Sequence, residues 1–280
     1  MKHQLIATLL TSIALLTPLG AQAGTLNPPT DISISGTYQI FKETSSGSGL
    51  LTPVASDLAI VKDILMNNTV RGNVQLGSFL APTALTTMEV TFNGGAVATL
   101  SNLLLSDWTN DSEALARSYI TAAGNSVGIT LTTSELNDAT SYFLTKFAVP
   151  GIEVWRLASD PNIATIDLVN GQIKVGLDGL LHPTSFLNTL FLGAGVTVPA
   201  GKDAQASEVV KVTYNGSSQY LYSFSATETG YQTTDGTQSY NGRYTDQTVP
   251  EPTTLLMLGL GFIGLGYMHR HNKRDQAIAA

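Results

Sequence analysis

Residues 255–268 form a 14-residue run without a single charge, and the run is closed by His269-Arg270-His271-Asn272-Lys273-Arg274. As a helix at about 1.5 Å per residue it reaches about 21 Å, short of the roughly 30 Å hydrocarbon core of a bilayer. Adding Thr253 and Thr254, with Arg270 and Lys273 extending toward the headgroups, narrows the gap. A buried helix of a soluble core seldom carries four glycines such as Gly259, Gly261, Gly264 and Gly266, since each costs about 1 kcal/mol against alanine. Membrane helices tolerate glycine better. The segment at about 253–268 is therefore expected to enter the membrane rather than to join the fold that precedes it. Arg270, Lys273 and Arg274 fix its direction, because such a cluster stays in the cytoplasm and leaves everything upstream on the far side.

Immediately before this segment stands Val249-Pro250-Glu251-Pro252. The two prolines deny a helix start upstream of Thr253 and hold Glu251 in extended backbone at the membrane surface. A Pro-Glu-Pro element, a short Gly-rich apolar helix and an Arg-rich tail, here residues 249–274, together resemble the PEP-CTERM sorting signal of bacterial surface proteins. The resemblance implies recognition, and cutting near Pro250-Glu251-Pro252, by an exosortase, an intramembrane cysteine transpeptidase or protease. The spacing Gly259-x-Gly261-x-x-Gly264 also matches the dinucleotide-binding pattern, but it follows no strand and opens no βαβ unit, so it is read as membrane glycine usage.

The other end of the chain reads as a secretory leader. Lys2 and His3 begin it, residues 5–16 supply an apolar stretch, and Ala21-Gln22-Ala23 offers small residues at the two positions signal peptidase reads, so Gly24 is the expected mature N-terminus. Between the two tags, residues 24–250 carry 10 basic and 19 acidic side chains. An acidic region with no basic stripe is a poor partner for nucleic acid or for anionic lipid. The chain has no cysteine, which removes disulfides, thiol catalysis and Cys-based metal sites, and leaves stability to packing.

Within the mature region, residues 24–232 are expected to form one extracytoplasmic globular domain, followed by a polar linker at 233–248. Ile32, Ile34, Tyr38 and Ile40 alternate with polar residues about Gly36, and Met88, Val90 and Phe92 alternate before Asn93-Gly94. Two hairpins are marked by Asn170-Gly171, between Ile166/Leu168 and Ile173/Val175/Leu177, and by Asn215-Gly216, between Val210/Val212/Tyr214 and Tyr220/Tyr222, because Asn-Gly accepts the positive φ of a tight turn. Helical spacing appears at 57–66, 111–123 and 133–147, with Thr133 as N-cap of the last, and more weakly at 184–192. Strands at both ends around a helical middle give an α+β expectation, mostly antiparallel, with a β-sandwich carrying helical insertions as the alternative.

Chemistry is sparse. His182 is the sole histidine of the mature region, no Gly-x-Ser-x-Gly elbow is present, and no complete catalytic set is visible. No cofactor and no metal is expected. Glu153 beside Trp155 and Asp107 beside Trp108 place acids next to aromatics, the arrangement a two-carboxylate glycoside hydrolase would use. Asp160-Pro161-Asn162 and Asp235-Gly236-Thr237 put oxygen ligands near turns without the spacing of a dedicated calcium loop. The body at Ser207-Glu208-Val209-Val210-Lys211-Val212-Thr213-Tyr214 and Tyr220-Leu221-Tyr222-Ser223-Phe224-Ser225-Ala226-Thr227-Glu228, preceded by Ser159-Asp160-Pro161-Asn162-Ile163 and Gly176-Leu177, is similar to a family of PEP-CTERM proteins with no assigned biochemical role. The expectation is thus a non-enzymatic exported protein with signal peptidase, an exosortase and the membrane as partners. Its Ser-, Thr-, Asn- and Tyr-rich surface suits polysaccharide. A carbohydrate-active hydrolase and a calcium- or small-ligand-binding module are the alternatives.

Overall fold

The computed structural model describes residues 27–78, 84–180, 183–202, 204–233 and 242–249. The leader, His182, Asp235-Gly236-Thr237 and the tag from Pro250 onward lie outside the described residues.

Five strands form a first, antiparallel sheet in the order β1 (Asp31–Ser35), β5 (Thr87–Thr91), β6 (Val97–Ser101), β11 (Val210–Tyr214) and β12 (Ser217–Leu221). Eight form a second, in the order β13 (Thr227–Glu228), β15 (Gly242–Val249), β10 (Gln172–Gly179), β9 (Asn162–Val169), β4 (Gly72–Leu76), β2 (Tyr38–Glu43), β3 (Leu50–Val54) and β14 (Gln232–Thr233). Among the described residues, only the short β14 runs parallel to its neighbour, β3. A small hairpin pairs β7 (Phe147–Val149) with β8 (Ile152–Glu153). The helices are α1 (Leu58–Leu65), α2 (Leu105–Ser126), α3 (Thr133–Thr145) and α4 (Thr184–Phe191). The class is α+β and mostly antiparallel, as the pattern indicates.

The alternation about Gly36 is real, but its halves serve different sheets. β1 belongs to the first and β2 to the second, and Gly36 makes the crossing at φ 107°, where a Cβ would sit 2.8 Å from the Thr86 Cα and 2.9 Å from the Leu85 carbonyl. Ile32, Met88 and Val90 from the first sheet meet Ile40, Val74, Ile163 and Val175 from the second in one core, which α1 joins through Val61 and Ile64. Face-to-face packing of this kind buries the alternate residues of both sheets. The helices build a second core around Trp108, Tyr119, Phe143, Trp155, Leu187 and Phe191. Edge-to-face contacts of Trp108 with Phe143 (4.9 Å) and Tyr119 (5.7 Å) fix its arrangement.

The Asn-Gly turns lie at one end of the strands, α2 and α4 leave from the other, and α1 packs along the strands between them. The β9–β10 and β11–β12 hairpins close through Asn170 (φ 52°)-Gly171 and Asn215 (φ 49°)-Gly216, as the dipeptides require. Tyr214 pairs with Ala98, so the Asn215-Gly216 turn lies beside the Asn93-Gly94 turn of β5 and β6. Asn27 links the two sheets at this same end, accepting from the Leu168 N–H at 3.0 Å and from Asn93 Nδ2 at 3.0 Å. From the other end, α2 follows β6 and α4 follows β10.

Three boundaries differ from expectation. Thr132, not Thr133, caps α3: its hydroxyl accepts from the Glu135 N–H while Glu135 accepts from the Thr132 N–H at 2.7 Å, so the reciprocal pair selects the register. α2 starts at Leu105 but is broken at 110–113, where Asn110 is extended and Asp111, Ser112 and Glu113 take φ of 49°, 57° and 65°. The polar stretch 233–248, expected to be a linker, ends in β15, which pairs with β10 from Gly179↔Gly242 to Ile173↔Val249. Buried Tyr244, donating to the Leu180 carbonyl, and Arg243, paired with buried Asp178, hold it there.

Candidate functional site

The break in α2 opens a groove of ≈ 420 Å³ against β12 and the residues after it, lined by Asp107, Asn110, Asp111, Ser118, Tyr220 and Tyr222 among others. Tyr220 and Tyr222 flank buried Leu221, so strand alternation aims both at one side. Asp107 is the hub. One carboxylate oxygen accepts the Leu104 N–H at 2.9 Å, and the other accepts from Lys211 Nζ at 2.8 Å and from the Tyr220 hydroxyl at 2.9 Å. The Asp107 bond raises the Lys211 ammonium above the ordinary lysine value, and the ammonium lies 5.6 Å from the Tyr220 ring centre. Burial first, and then the bond to Asp107, raise the Tyr220 phenol. Tyr222 shares a 2.7 Å hydrogen bond with Ser118, and its ring meets Tyr119 edge-on at 5.1 Å. Both phenols are therefore locked in place, leaving two oriented rings beside the amide of Asn110 and the carboxylate of Asp111.

Three successive non-glycine residues at positive φ cost about 1–2 kcal/mol each. Strain of this kind collects where function requires a particular backbone path, and here Asp111 both bears it and lines the groove.

A second polar centre ties the large sheet together. Asp178, fully buried, accepts from Arg243 Nε (2.9 Å) and Nη2 (3.2 Å) and from Asn73 Nδ2 (3.1 Å). Next to it, Gln75 donates to Asp160, and Glu208 accepts from the Asn162 N–H (3.3 Å) and Nδ2 (2.9 Å). Glu208 keeps some side-chain surface, yet its carboxyl is enclosed. Burial pushes it well above the usual glutamate value, and repulsion from Asp160 adds to this. Burial likewise raises Asp178, against the opposing pull of Arg243. Among the described residues, no three His, Cys, Asp or Glu side chains gather to hold a metal ion.

The two acid–tryptophan neighbours part company. Trp108 and Trp155 are both buried, with Trp108 Nε1 donating to Ser159 Oγ at 2.9 Å, so neither indole is free to stack on a ligand. Glu153 is paired with Arg156 at 2.9 Å, which holds its carboxyl below the ordinary range. Asp107 does reach a groove, and the aromatic partners there are the tyrosines. Asp160 lies buried against Gln75 rather than in an open turn. The i, i+2 spacing of Tyr220 and Tyr222 was the readable signal for the groove. The broken helix opposite them carried none.

Among the described residues, no helix is long and apolar enough to cross a membrane. Val249 is the last residue of β15, and residues 248–270 match the family model of the PEP-CTERM protein-sorting motif. The match does not extend to the body. No curated protein and no solved structure matches the chain. The chain thus carries a PEP-CTERM protein-sorting motif at residues 248–270, which supports an exported protein targeted to an exosortase.

Proposed function

We propose that the protein leaves the cytoplasm through the leader cut between Ala23 and Gly24 and is held by the segment 253–268 with Arg270, Lys273 and Arg274 inside. It is then processed at Pro250-Glu251-Pro252 for residence at the cell surface or in the extracellular polymer. The sorting motif at 248–270 carries this reading. Intact-mass measurement on the protein from its native host tests it. Loss of 23 N-terminal residues with a new C-terminus near Pro250 is expected, and a chain uncut at both ends contradicts it.

Once outside, the domain acts as a non-enzymatic module that holds polysaccharide in the groove beside α2. The favouring observation is the pair of locked tyrosines facing Asn110 and Asp111, since sugar rings offer apolar faces for stacking and hydroxyls for amide and carboxylate groups. Asp107, already engaged by Lys211, Tyr220 and the Leu104 N–H, orients the wall of the groove. With the host's purified extracellular polysaccharide as probe, the protein should be retained, Tyr222→Ala should lose retention, and no new reducing ends should appear. Release of reducing ends would instead establish the hydrolase alternative.

A further inference from the structure

The large sheet and the sorting motif share residues: β15 runs through Val249, and the motif begins at 248. Thr248 pairs with Lys174 and Val249 with Ile173, so the strand stays in the ladder up to the residue before Pro250. Only residues 250–252 separate this strand from Thr253, where the apolar segment is expected to begin. Four Cα steps of fully extended chain cover at most about 14 Å. The headgroup layer on one side of a bilayer takes up roughly 5–8 Å of that.

What lies at this end of the sheet is set by register. The Asn170-Gly171 turn stands just beyond the Ile173↔Val249 pair, about 7 Å further along the strand direction at 3.3 Å per residue. Asn27 is bonded to Leu168 and to Asn93, which brings the Asn93-Gly94 turn and the start of the described chain to the same place. Asn93, Gly94, Asn170, Asn215 and Gly216 are exposed, uncharged and rich in amide groups. Such a surface hydrogen-bonds to phosphate and glycerol oxygens without entering the hydrocarbon. Helices α2 and α4 leave from the opposite ends of the strands, and the eight residues of β10 alone span about 26 Å.

We infer that the turn-bearing end of the sandwich is a membrane-apposed surface. Before processing, the domain stands on the phospholipid headgroups by its Asn-Gly turns, with the helical layer and the α2 groove pointing away from the bilayer. The missing spacer, and not charge, enforces the contact. This inference rests on the proposed membrane insertion of residues 253–268.

The absence of cysteine makes the test clean. Single-cysteine variants Gln172→Cys and Val97→Cys at the turn end, and Asn137→Cys on exposed α3, are made in the full chain from a bacterial host without an exosortase. Each is labelled with bimane and reconstituted into phosphatidylethanolamine/phosphatidylglycerol vesicles containing a headgroup spin-label quencher. Both turn-end probes should lose most of their fluorescence while the Asn137→Cys probe keeps its own. Inserting a Gly/Ser spacer of about 20 residues between Val249 and Pro250, a flexible coil of about 25 Å, should restore the turn-end signals. Equal quenching at both ends of vesicle-bound protein, or turn-end quenching that survives the spacer, overturns the inference alone. Failure of the chain to float with the vesicles overturns the insertion on which it depends.

Discussion

Glu208 is the side chain at which pH should act on this fold. Its folded pKa lies above the reference value of 4.5 because burial and Asp160 disfavour the charged form. The folded state therefore binds the proton more tightly than the unfolded chain does. The stabilising contribution is complete below about pH 4.5 and is lost as pH rises through the raised folded value. Thermal unfolding at a series of pH values above 4.5 should show Tm falling with this titration, and Glu208→Gln should flatten the slope. Asp178 shifts in the same direction but has a cation beside it. Removing that cation in Arg243→Leu leaves a buried carboxylate uncompensated and should cost about 3–5 kcal/mol at pH 7, read from urea unfolding. The loss should shrink at low pH, where Asp178 takes up a proton.

At the scale of the elements, local chemistry was legible wherever a residue type forces a backbone state. Asn170-Gly171 and Asn215-Gly216 announced their hairpins because few other pairs accept two positive φ values in succession. The 57–66 spacing located α1, whose N-cap Asp57 accepts from the Ala59 N–H at 2.8 Å. Asp57→Ala should cost about 1 kcal/mol in the same unfolding assay. The sequence misled where a tertiary partner makes the choice. Tyr244 and Arg243 look like residues of a polar tail until Leu180 and Asp178 are placed beside them, and the pairing of β1 and β2 with different sheets depends on the tight approach of Gly36 to Thr86. Nothing in Asn110-Asp111-Ser112-Glu113 forbids a helix, so the break left no mark in the sequence. Ser112→Gly should relieve part of the left-handed strain and raise stability by about 1 kcal/mol without closing the groove. A drop in stability would show that the Ser112 side chain holds the break in place.

For the molecule as a whole, an acidic, cysteine-free sandwich with a helical layer precedes a sorting motif at 248–270 and is proposed to follow a cleaved leader. The body offers a tyrosine-walled groove, and the tail is proposed to decide where that groove is displayed. The orientation rests on Arg270, Lys273 and Arg274 remaining in the cytoplasm behind the apolar run of residues 255–268. The most direct test is a tandem reporter of alkaline phosphatase and green fluorescent protein fused behind Ala280 in a host lacking an exosortase. Fluorescence with inactive phosphatase is the predicted result. Active phosphatase with no fluorescence would place the basic tail outside and contradict the account.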